Sequence, residues 1–114
     1  MLTQTIDLDM VPRGEKPVVR LNQGDADFTI LVKLLAREGD FKIVSGTTAK
    51  VQGTKPDGTK YTASAAINNM VVAVWGDNKM TNVPGTGTYE ICLTYRGKEL
   101  YTSNFSIVVE PRPI

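Results

Sequence analysis

Between residues 28 and 34 the chain alternates. Phe28, Ile30, Val32 and Leu34 are apolar, and of the intervening Asp27, Thr29, Leu31 and Lys33 only Leu31 is not polar. Period-two alternation predicts a half-buried strand with one face inward. A helix over 28–37 fits less well, because β-branched residues are common there. Similar runs fill most of the sequence. Residues 17–21 read as an edge strand, since proline is tolerated at its first position, and Asn22-Gln23-Gly24-Asp25 reads as a turn. The loop 37–40 precedes a short return strand over 41–44.

The strongest hairpin signal is Lys55-Pro56-Asp57-Gly58-Thr59, flanked by strands over 49–53 and 60–67. Proline presets φ in its turn and glycine accepts a positive φ. Asn68-Asn69 marks another turn. The run 70–75 is apolar on both faces, as in a central strand, although a buried helix has the same pattern. Pro84-Gly85-Thr86-Gly87 forces a corner before Tyr89, Ile91, Leu93 and Tyr95, which share one face. A turn at 96–99 leads to a last strand in which Phe105, Ile107 and Val109 alternate with Ser106, Val108 and Glu110.

About seven strands spaced by turn signals predict an all-β fold, an antiparallel β-sandwich of immunoglobulin-like type. Tyr89, near the start of the penultimate strand, matches the place where such sandwiches bond a tyrosine hydroxyl back across a corner. The expected organisation is an N-terminal arm or extra strand over 1–15, the sandwich over 16–110 and an exit tail or linker over 111–114. As a docking arm, the first segment would make Ile6 and Leu8 interface residues; a frayed terminus fits it equally.

Composition narrows the chemistry. At 114 residues the chain has a single domain's length. Thirteen basic against twelve acidic residues leave a net charge of +1, which gives no reason to expect nucleic acid or an anionic membrane as partner. With no histidine there is no Ser-His-Asp triad, Cys-His pair or imidazole metal site. Cys92 is the only cysteine, expected as a small buried hydrophobe. No apolar segment approaches membrane-spanning length, and the start lacks the features of a secretory signal peptide.

Carboxylates remain for acid–base work, but they are scattered. The pairs Asp7/Asp9 and Asp25/Asp27 lack the ligands and glycine of a calcium loop. Asp40, Asp57 and Asp77 belong to turns, where aspartate is common for conformational reasons. Gly85 and Gly87 do not match a phosphate loop, since no helix pattern follows. Lys50, Lys55 and Lys60 around the hairpin read as solubilising edge residues. The expectation is no enzyme, no cofactor and no metal; a glycosidase using carboxylates alone would need a pair roughly 5–10 Å apart, for which the sequence gives no location. Trp75, Tyr61 and Tyr101 are candidate ligand aromatics for a carbohydrate- or cell-wall-binding module. The competing expectation puts Trp75 in the core with the tyrosines at its margin.

One ordered series of motifs resembles a known family. Leu21-Asn22-Gln23-Gly24-Asp25 opens it, followed by the stretch 51–59 with Pro56-Asp57-Gly58, then Gly87-Thr88-Tyr89-Glu90 and the stretch 103–111 around Phe105. Together they resemble the N-terminal domain of phage baseplate upper proteins, from tailed phages and prophages of Gram-positive bacteria, over roughly residues 18–111. The resemblance implies a structural domain that docks on the tail baseplate and helps carry receptor-binding proteins for host attachment. It also implies a homo-oligomer, typically a trimer, located in the virion after assembly in the host cytoplasm. Family members continue into a stalk and a distal domain, which this sequence does not show.

Overall fold

A computed structural model describes residues 2–11 and 16–112. Residues 1 and 12–15 of the expected arm, and 113–114 of the expected tail, lie outside the described residues. The elements are β1 (Leu2–Asp9), β2 (Val18–Asn22), β3 (Phe28–Ala36), β4 (Gly39–Asp40), β5 (Thr48–Thr54), β6 (Lys60–Asn68), β7 (Val71–Trp75), the one-turn helix α1 (Asn78–Thr81), β8 (Gly85–Tyr95), β9 (Lys98–Tyr101) and β10 (Phe105–Glu110). Eight strands follow one hydrogen-bonded path, β1-β3-β7-β6-β5-β8-β10-β2, with β4 on β3 and β9 on β8.

The path nearly closes on itself. Its terminal strands, β1 and β2, are joined by Gln4, whose side-chain amide donates to the Arg20 carbonyl at 2.9 Å. β6 carries the chain between the two halves: its residues 60–65 pair with β5 and 66–68 with β7. Small residues at the bend, Ala63, Ala65 and Ala66, let it change neighbours without crowding the interior. The all-β expectation therefore stands as a nearly closed barrel of ten strands among the described residues, where the sequence pattern predicts about seven.

The sheet is mixed, a correction to antiparallel pairing throughout. β1 runs parallel to β3 and β2 runs parallel to β10, both at the ends of the path. The cause is the order of segments. β1 and β2 are consecutive in the chain but lie on opposite sides of the seam, so each takes a neighbour that is remote in connection and runs in its own direction.

Inward positions follow the predicted alternation. Phe28, Ile30, Val32 and Leu34 on β3 are buried, as are Val51, Val72, Val74, Ile91 and Ile107. One predicted element shifts and one unpredicted element appears. The strand expected over 41–44 is β4, two residues earlier. Ala36 pairs directly with Gly39 across Arg37-Glu38, and Gly39 takes φ +102°, so the chain returns at once. Residues 41–44 then cross one end of the barrel without strand structure, and Ile43 plugs it. Residues 78–81 form a helical turn capped by Asp77, whose carboxylate accepts from Lys79 N at 2.9 Å.

Ile6 and Leu8 are not free for an interface. Leu2–Asp9 is paired along its whole length with β3, and both side chains enter the core, Leu8 completely. The alternation of Thr5, Asp7 and Asp9 with Ile6 and Leu8 is that of a half-buried strand.

Candidate functional site

The barrel has two ends of different chemistry. At the end where β2 and β10 finish, called the lower end here, the motif turn and the hairpin come together. Gln23 N donates to the Glu110 carbonyl at 2.8 Å and Gly24 N to the Thr81 carbonyl at 3.0 Å. The Asp25 carboxylate accepts from Asn22 N at 2.9 Å, and Thr81 Oγ1 donates to the Asp25 carbonyl at 2.6 Å. Gly24 has φ +88°, the left-handed region that favours glycine.

The hairpin reaches the same place. Gly58 N donates to the Lys55 carbonyl at 2.9 Å, while Lys55 Nζ donates to Asn82 Oδ1 at 2.6 Å and Gln23 Nε2 to the Asn82 carbonyl at 3.2 Å. Pro56 packs on Gly85, where an added Cβ would stand 2.9 Å from the proline ring. Asp57 accepts from both the backbone and the hydroxyl of Thr59, and these bonds, helped by Lys55, hold its carboxyl below the usual range. Gln23, Gly24, Asp25, Pro56, Asp57 and Gly58, far apart in sequence, thus form one polar closure.

Gly87, Tyr89 and Phe105 belong to the interior above it. Tyr89 packs edge-on to Tyr61 with centroids 6.1 Å apart and tilts against Phe105 at 6.0 Å. The tyrosine ring lies over Gly87, whose added Cβ would meet it at 2.8 Å, and across from Gly53, whose Cβ would reach 2.2 Å from the Thr88 carbonyl. Tyr89 Oη has no hydrogen-bond partner among the described residues, so the corner bond expected of it is not made. The ring lies along its own strand over Gly87 and cannot reach back across a corner. Burial, then Asp57, pushes this phenol up to about 12.

The candidate ligand aromatics are not brought together. Trp75 is 58% exposed, which corrects the expectation that it fills the core. Val72 and Val74 point inward, so the alternation turns Trp75 outward at the lower end of β7. Tyr61 is buried, with its hydroxyl donating to Asp77 Oδ2 at 3.2 Å; burial and that carboxylate raise its pKa. Tyr101 is exposed on β9, and Glu99 beside it raises its pKa. Cys92 is buried on the face of β8 opposite Tyr89, its Sγ 3.1 Å from Glu99 Oε2, and burial raises its pKa.

Two concavities lie on the surface of the described residues. One of about 460 Å³ lies across β5, β6 and β8 and presents polar and apolar surface in nearly equal parts, with Gln52 Nε2 donating to Glu90 Oε2 at 2.7 Å. The second, about 330 Å³, is at the upper end between the 41–47 loop and the β8–β9 hairpin, and is walled by Phe41, Ile43, Val44, Leu93, Tyr95 and Leu100. Val44 and Leu100 are 56% and 48% exposed there. Met70, also exposed, adjoins the groove, its Sδ accepting from Ile43 N at 3.2 Å. Sequence reasoning missed this groove because it arises from a loop without strand periodicity. The one available signal, the apolar pair Ile43-Val44, was assigned to a return strand instead.

Compared by sequence, the chain matches no protein-family model and no curated protein. Compared by structure, it is similar to the solved "N-terminal domain of phage TP901-1 ORF48", with a TM-score of 0.72 and 15% sequence identity over 96% of this chain and 99% of that one. The likeness is one of fold, and it extends over nearly the whole of both chains.

Proposed function

We propose that this protein is a structural module of a phage tail baseplate, acting by protein–protein contact rather than by catalysis. The observation that carries the reading is the fold likeness to a phage domain over nearly all of both chains. The motif series supports it from the sequence side. The motif residues sit in turns, closures and core packing, a placement suited to a rigid scaffold. Each aspartate in the motif turns, Asp25 and Asp57, is engaged by neighbouring backbone.

In this reading the module is an adaptor in the virion that docks on the baseplate and helps carry receptor-binding proteins. It assembles in the host cytoplasm as a homo-oligomer, the trimer that the family resemblance implies. The two halves joined by β6 correspond to the layers of an immunoglobulin-like sandwich. The exposed upper groove and the polar lower end give it two unlike surfaces for two kinds of neighbour. Deleting the gene from its phage or prophage tests this. Particles lacking distal tail density and failing to adsorb to host cells are expected; complete tails with normal adsorption would overturn it.

A second reading, a carbohydrate- or cell-wall-binding module, is favoured by one observation, the exposed indole of Trp75. Titration with host wall polysaccharide while following Trp75 fluorescence tests it. A saturable change lost in Trp75→Ala supports that reading, and a flat response removes it.

A further inference from the structure

The β9 strand has an open edge. Tyr95 and Lys98 flank the two-residue turn Arg96-Gly97, in which both residues have positive φ, 50° and 75°. Pairs flanking such a turn exchange hydrogen bonds, and bonded and non-bonded pairs then alternate along the ladder. Lys98 and Leu100 therefore turn their backbone groups toward β8, and Thr102 continues the series by donating to the Ile91 carbonyl at 3.0 Å. The N–H and C=O groups of Glu99 and Tyr101 point away from β8. Neither residue has a backbone partner on that side among the described residues, and all four residues of β9 are exposed.

Leu100 lies opposite Leu93, so it shares the face that walls the apolar groove. A strand laid against β9 would place every second side chain in that groove. On the groove's own rim the charge is mostly basic. Lys42 and Lys98 stand there against Glu99 alone, and that carboxylate is already engaged by Lys50 at 3.9 Å. Lys42 and Lys98, on the rim of the groove, make no ion pair among the described residues.

We propose that the β9 edge and the upper groove together take an extended segment of another protein, added as a strand beside β9. The segment carries apolar side chains at alternate positions and carboxylates flanking them. Main-chain bonds to Glu99 and Tyr101 supply affinity, the groove selects apolar side chains, and Lys42 and Lys98 select acidic flanks. A second copy of this chain is the poorer occupant. Pairing β9 with β9 brings two basic groove rims together, and the register centred on Glu99 sets like charges opposite each other.

The proposal deepens the docking reading above but is tested on the isolated chain. The probe is a capped octapeptide in which leucine alternates with threonine between terminal pairs of glutamate; a control has lysine in place of each glutamate. Amide NMR shifts follow the titration. Saturable shifts at the Glu99 and Tyr101 amides are expected, with the lysine control at least about tenfold weaker at low ionic strength. Tyr101→Pro, which removes an outward-facing N–H, should abolish binding. The exposed Lys98→Glu, which leaves packing intact, should weaken it about fivefold. Equal binding of the two peptides, shifts that miss Glu99 and Tyr101, or protection of these amides by self-association without peptide would overturn the proposal. Such a failure would leave tail location untouched, and a failed tail location would leave peptide binding untouched.

Discussion

Tyr89 shows how two glycines and one ring specify the interior. Its side chain is too large for a lattice of β-branched residues, and it is accommodated because Gly87 on its own strand and Gly53 on the next have no Cβ to oppose it. Its hydroxyl has no partner among the described residues, so Tyr89→Phe removes a buried polar group without opening a cavity. At pH 7 this variant is expected to match the parent or exceed it by up to about 1 kcal/mol in urea unfolding. A loss greater than that would show that the hydroxyl is bonded after all. The pH dependence has a definite sign. Because the folded phenol ionises near 12, above the ordinary tyrosine value, its contribution is full below about pH 10 and is lost as pH rises through 12. Stability should therefore fall over that window, and less steeply in Tyr89→Phe; Tyr61, raised in the same direction, accounts for part of the remaining slope. At this scale the sequence was only partly legible. The Gly87-Thr88-Tyr89 run marked a special place, but Gly53 takes its meaning from a strand 36 positions away. Trp75 was misread because an unbroken apolar run hides which of its residues face inward.

At the scale of elements, strands with a clean period of two were the most legible. β3, β8 and β10 lie where alternation puts them, and the Pro56-Asp57-Gly58 hairpin pairs Thr54 with Lys60 as its turn chemistry demands. β1 carries the same signal in Ile6 and Leu8, but its place beside β3 could not be read, because a parallel partner is not adjacent in the chain. That place has a measurable consequence. Leu8→Ala is expected to cost about 2–4 kcal/mol of folding stability, because Leu8 is fully buried among core side chains. Denaturant unfolding measures it, and an unchanged midpoint would return this segment to the role of a free docking arm. The 41–44 segment failed for the opposite reason. Its apolar residues are real, but they cap a barrel end instead of joining a ladder, and period alone does not separate the two uses.

On the scale of the whole molecule, the seam between β1 and β2 decides the architecture. Closing it brings consecutive strands together across a gap bridged by Gln4, and leaves β9 as an exposed edge at the upper end. Short segments of the sequence contain neither fact, because strand order is a property of the closed path. The motif series is local and its convergence on one polar end is not. The residues that carried the family resemblance therefore proved to be those that seal and brace the fold, while the groove and edge offered for docking lie at the other end. The central claim is that this scaffold belongs to a tail. Immunogold electron microscopy of particles from the strain that carries the gene, with antibody against this domain, tests it most directly. Gold at the tail tip is the predicted result; intact, antibody-accessible tails without label would contradict it.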